Sequence, residues 1–178
     1  MRVFTSLAGK TEEHQRCGGS TLTRTSVTID KRDYRALIAG KGAIMKGHAR
    51  QLMTTKVELA SPATTVAAAA RELAQLEVSA LPVVDIAGAV IGIVTESDLL
   101  TALLRSIPVE TPIRTIMKSP VVTVDEFAPA DTVIRLLQEK GLHHLPVIRQ
   151  GTVVGLITPQ EVIRYFVEHQ LPIPPKVA

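Results

Sequence analysis

Two stretches of this chain end an apolar run in a threonine and place an acid three residues later. They are "GIVTESDLL" (Gly92 to Leu100) and "GLITPQEVI" (Gly155 to Ile163), and they lie 63 residues apart. Thr95 with Asp98, and Thr158 with Glu161, have the spacing of a helix capping box, in which the cap oxygen and the N3 side chain satisfy each other's backbone amides. Pro159 at the first helical position strengthens the second cap. The same residues also suit a sugar phosphate. A helix start offers unpaired N–H groups and positive potential to a phosphate, and a carboxylate one turn in accepts two hydrogen bonds from a ribose diol. The strand glycines Gly92 and Gly155 mark a close approach of backbone or ligand. A helix cap alone and a ligand cleft both fit the local residues.

The surrounding sequence is duplicated. With Arg50 on Arg114, Met53 meets Met117, Val57 meets Val121, Arg71 meets Arg135, and "LPVV" (Leu81 to Val84) meets "LPVI" (Leu145 to Ile148), all at an offset of 64. One residue is then dropped at a turn, and Gly92/Gly155 and Thr95/Thr158 follow at 63. Each copy reads β-α-β-β-α. Its parts are a short extended piece (Val57 to Ala60, or Val121 to Val124), an amphipathic helix, two apolar strands about a turn, and a last helix. The first helices carry Val66, Ala69, Ala70, Leu73 and Leu76 in one copy, and Ala130, Val133, Ile134 and Leu137 in the other. About three strands per copy cannot cover both sheet faces, so the copies must pack together in an α/β (α+β) body. The core is aliphatic, because apolar residues make up 46% of the chain and aromatics only 3%.

The arrangement resembles the tandem CBS-domain, or Bateman, module. The resemblance is carried by "VSALPVVDIAGAVIGIVTESDLL" and "LHHLPVIRQGTVVGLITPQEVI", with the leads "ARQLMTTKV" and "IRTIMKSPVVTV", and covers roughly residues 49–169. It implies a pseudo-two-fold pair of repeats that binds adenosine nucleotides (AMP, ADP, ATP or S-adenosylmethionine) and commonly forms disc-like homodimers. Carried across, one cleft uses Thr95 and Asp98 with Leu142 and His143, next to His144, from the other copy. The other uses Thr158 and Glu161 with Val78 and Ser79. First-strand walls are Val57, Glu58 and Leu59, and Val121, Val122 and Thr123. Glu161 stands where the family pattern has Asp and carries its carboxylate one methylene further out, which ranks the Asp98 cleft first.

The remaining residues narrow the class. His143 and His144 are either an ordinary pair before a strand or a phosphate donor that titrates near neutrality. Neither they nor His14, His48 and His169 show metal-ligand spacing. Cys17 has no recognisable His partner, and no catalytic motif appears, so the chain reads as no enzyme. The single cysteine suits a reducing cytoplasm, and no apolar run reaches the ~18 residues of a membrane helix. Leu99, Leu100, Leu103 and Leu104, matched by Val162, Ile163, Phe166 and Val167, form stripes that serve either a central core helix or a dimer face.

Residues 1–48 hold nine Lys/Arg against four Asp/Glu, whereas residues 49–178 hold eleven against thirteen. The basic excess belongs to the leader, and nucleic-acid binding by the body is not supported. Residues 1–22 read as disordered. In "LTRTSVTIDKRDYRALIAG", Val27 and Ile29 alternate like a strand, and Asp30 caps a helix bearing Tyr34, Leu37 and Ile38. The expected division is an extension (1–48), a first repeat (49–107), a linker (108–112), a second repeat (113–170) and a tail (171–178). The expected function is a regulatory nucleotide sensor that signals to an unidentified effector protein or a dimer mate. Two other classes stay open: a structural dimerisation domain with empty clefts, and a DNA-binding regulator that uses the basic leader.

Overall fold

The computed structural model describes residues 26–28 and 45–171. Its helices are α1 (Ala49–Leu52), α2 (Val66–Leu76), α3 (Glu96–Leu104), α4 (Ala130–Glu139) and α5 (Pro159–His169). Its strands are β1 (Ser26–Thr28), β2 (Ala80–Val84), β3 (Val90–Thr95), β4 (Val121–Asp125), β5 (Leu145–Arg149) and β6 (Thr152–Ile157). The mixed α and β architecture is the expected one. The strand expected in the leader exists as β1, while the helix bearing Tyr34 lies outside the described residues.

The two hairpins repeat down to their irregularities. β2–β3 and β5–β6 are both antiparallel, with a register shift at Val83/Val84 and at Val147/Ile148. The residue dropped between copies is a matter of turn chemistry. In the first turn Asp85 Oδ1 accepts from Ala87 N–H and Ala89 N–H, both at 2.9 Å. The second is a two-residue turn with positive φ at Gln150 (50°) and Gly151 (86°), the pairing that matches strand twist.

One element departs from the expected order. The Val57 to Ala60 piece makes only a single parallel bridge, Ala60 to Val83. Its counterpart β4 is a full strand, held between β5 and the parallel β1, so that sheet runs β1-β4-β5-β6. Among the described residues, no strand flanks the Val57 segment as β1 flanks β4.

Each lead packs into the core of the other copy. Ala49 and Leu52 share a buried cluster with Val124, Val133, Leu136, Leu145 and Ile157. Ile113 is buried among Val66, Leu73, Leu81, Val94 and Leu99. A third cluster of Ala80, Val90, Ile93, Val121, Val153 and Leu156 joins the copies face to face. Removing such aliphatic side chains from water is the main stabilising term. Among the described residues no helix is long and apolar enough to cross a membrane.

Candidate functional site

Both threonine–acid pairs sit where a buried strand turns into a helix. Thr95 ends β3 with φ −119° and ψ 166°, and Thr158 precedes α5 with φ −120° and ψ 168°. Both starts carry the expected capping box. At the first, Asp98 Oδ2 accepts from Thr95 N–H at 2.9 Å and from the Thr95 hydroxyl at 2.6 Å. At the second, Glu161 Oε2 accepts from Thr158 N–H at 3.1 Å and closely from the Thr158 hydroxyl. The longer Glu side chain therefore reaches its cap as Asp98 does, and a further methylene does not break the turn.

The second oxygens differ. Asp98 Oδ1 is met by Lys118 Nζ at 3.0 Å, a residue that sequence reasoning did not single out. Glu161 Oε1 is approached by Arg164 of its own helix at 3.5 Å. The one early signal for Lys118 was its partner at the offset of 64, the uncharged Thr54.

His144 brings the second copy to the first site. Its Nε2 lies 3.0 Å from Ser79 Oγ, so the two segments that precede the Leu-Pro-Val strands touch each other. The ring is close enough to feel the charges of Glu96, Lys118 and Asp98. Burial pushes its pKa below the ordinary histidine value; His143 and Lys118 act in the same direction, and Glu96 and Asp98 oppose them. The balance of these influences favours the neutral form of His144.

The other expected wall residues divide. Val57 and Val121 pack in the cluster between the copies. Val78 turns into the first copy's core, and Leu142 and Val122 pack against the second's, so these side chains are already committed. Glu58, Leu59 and His143 are exposed. The glycines are a correction. A Cβ on Gly92 would lie 2.4 Å from Met117 Sδ, and one on Gly155 2.4 Å from Met53 Sδ. The close approach is that of the opposite lead's methionine, and it reports packing between copies rather than a ligand. Among the described residues, no group of three or more His, Cys, Asp or Glu could hold a metal ion.

The last helices do not form a central core. Leu99 and Ala102 of α3 are buried, but Leu100, Leu103 and Leu104 are exposed, Leu104 to 86%. No residue of α5 is buried, and Ile163, Phe166 and Val167 face outward.

Duplicated β-α-β-β units with exchanged leads and a threonine–acid pair at each strand-to-helix turn define a paired-repeat module. The CBS-domain family profile matches residues 49–105 and 113–168, more than half of the chain, and the chain belongs to that family. An uncharacterised 17.7 kDa protein of Acidianus ambivalens is 30% identical over 115 residues, 64% of this chain and 70% of that one. The chain spans 55% and 34% of two other curated relatives. Among solved structures, the CBS-domain pair of MJ0100 in complex with 5′-methylthioadenosine and S-adenosyl-L-methionine is 26% identical. It covers 70% of this chain and 98% of that one, with a TM-score of 0.64. The protein CBSX2 in complex with AMP is 25% identical and covers 68% of this chain and 96% of that one, with a TM-score of 0.60.

Proposed function

We propose that this chain is a cytoplasmic regulatory module that binds an adenosine nucleotide (AMP, ADP, ATP or S-adenosylmethionine) and acts by binding alone, without a chemical step. The first site is the primary one: the α3 start and Thr95 face the phosphate, and Asp98 faces the ribose. The observation that carries this reading is the Lys118–Asp98 ion pair between the copies, with His144 of the second copy near enough to feel both charges, which makes the site a product of both repeats. A ligand held by both would favour one relative arrangement of the copies over another, the only source of a signal. Complexes of related CBS pairs with adenosine compounds support the ligand class.

The exposed Leu100, Leu103 and Leu104 with Ile163, Phe166 and Val167 supply the face toward a dimer mate or an effector protein. Light scattering that gives twice the chain mass, reverting to one chain mass in Leu103→Glu/Phe166→Glu, is the expected result for a homodimer. A second reading, a structural dimerisation domain with empty sites, is favoured by one fact: each acid already accepts from its own cap and faces a cation without any ligand. Mass spectrometry of small molecules that co-purify with the protein, joined to thermal shifts with AMP, ADP, ATP and S-adenosylmethionine, decides between them. A bound adenosine compound or a shift supports the sensor, and no ligand with no shift supports the structural reading.

A further inference from the structure

We infer that Lys118 sets the ligand class of the first site, selecting adenosine ligands with an anionic 5′-phosphate over those with a neutral or cationic 5′ group. The inference rests on the adenosine reading above and adds a specificity-determining residue from the second repeat.

Lys118 is rooted rigidly and reaches freely. Its N–H donates to Ile93 O at 2.9 Å, and Ile93 N–H donates to Lys118 O at 3.1 Å. That pair pins its backbone beside β3, two residues before Thr95. The side chain is 64% exposed, yet its ammonium lies 3.0 Å from a carboxylate that is only 10% exposed. Neither backbone bond depends on what the side chain is.

The hydrogen-bond inventory leaves room for a ligand between the two charges. An ionised carboxylate accepts about four hydrogen bonds, and an ammonium donates three. Asp98 uses Oδ2 for Thr95 N–H and the Thr95 hydroxyl, and Oδ1 for Lys118. One acceptor site on Oδ1 stays open for a sugar hydroxyl, and the donors of Lys118 not aimed at Asp98 stay open for an anion. A 5′-nucleotide carries a hydroxyl pair and an anion on one sugar. A 5′-thioether offers the ammonium no acceptor of comparable strength, and a 5′-sulfonium sets a like charge against it.

The molecule contains its own control. At the second site Thr54, from the first copy's lead, occupies the place of Lys118, paired both ways with Leu156 at 2.9 and 3.0 Å, two residues before Thr158. Its Oγ1 turns back to accept from Lys56 N–H at 3.2 Å. The cation on Glu161 is Arg164, from the same helix. Position for position, the second site has a hydroxyl committed to its own loop where the first has an ammonium on Asp98 with donors to spare.

The test is calorimetry with AMP and with 5′-methylthioadenosine, the same adenosine with and without phosphate, on the wild-type chain, Lys118→Met and Lys118→Arg. The wild type is expected to prefer AMP. Lys118→Met is expected to weaken AMP about 10- to 100-fold, the worth of a charge-assisted contact, with methylthioadenosine changed less than about threefold. Lys118→Arg is expected to restore the preference. An unchanged AMP-to-methylthioadenosine ratio in Lys118→Met overturns the inference while leaving the adenosine reading intact. Binding of neither compound by the wild type overturns both.

Discussion

Apart from their first strands and hairpin turns, the two copies share a backbone and differ in which side chains reach their sites and cores. Thr95 and Thr158 hold nearly identical dihedral angles, each receives its own acid, and each stands two residues past a strand residue paired with the opposite lead. Gly92 and Gly155 admit Met117 and Met53 in the same way. Yet the first acid pairs with Lys118 across copies, and the second with Arg164 on its own helix. The helices differ as well. α2 buries only Val66, Ala69 and Leu73, while α4 buries seven residues, including Asp131, Thr132 and Arg135. Arg71, the match of Arg135, is exposed. A shared scaffold thus holds two unequal sites, because the exchanged leads tie the copies together and also deliver a different residue to each.

The largest expected effect tests that exchange. Leu52 belongs to the lead of the first copy but is buried in the second copy's core, 3% exposed. Leu52→Ala should cost about 2–5 kcal/mol in denaturant unfolding. Hydrogen exchange should rise in β5 and β6 before β2 and β3; the reverse order would break the comparison.

Next come the glycines. The three atoms nearest a Cβ on Gly92 all belong to the Met117 side chain, whereas those nearest one on Gly155 include Thr54 backbone oxygen at 2.9 Å. Gly155→Ala should lose about 1–3 kcal/mol by overpacking. Gly92→Ala should lose less, since a thioether side chain yields more readily than backbone. Equal losses in parallel melts would show that both leads are equally rigid.

Glu161→Asp sharpens the difference between the acids. It keeps the cap, so stability should change by less than about 1 kcal/mol. If acid length is what separates the sites, AMP titration should show a second binding event that the parent lacks.

The smallest effect is one of pH. The folded-state pKa of His144 lies below its ordinary value of 6.5. The unfolded chain therefore takes up the proton first, and stability is fullest above about pH 6.5 and falls as acid is added. His144→Asn should flatten that part of the curve between about pH 7.5 and 5 in thermal melts; an unchanged slope would contradict the lowered pKa of this half-buried ring.

Much of this was legible in the sequence, for reasons visible in particular residues. The duplication located both hairpins and all four long helices, since a period of 2 followed by one of 3.6 is hard to disguise in Val- and Leu-rich segments. Thr95 and Asp98 were legible because a capping box is local. Lys118 was not, because it lies 20 residues beyond Asp98 and reaches it only after the leads cross over. Gly92 and Gly155 mark a close approach of backbone or ligand in the sequence, but nothing local says that a methionine from the other copy makes it. The burial of Asp131, Thr132 and Arg135 was missed for a similar reason: polar residues on a helix read as solvent-facing until tertiary packing decides otherwise.

The inequality of the two sites is tested most directly by calorimetric titration of AMP into the wild type, Asp98→Ala and Glu161→Ala. The account predicts one strong site per chain, lost in Asp98→Ala and kept in Glu161→Ala. Strong binding that survives Asp98→Ala, or that disappears in Glu161→Ala, would contradict it.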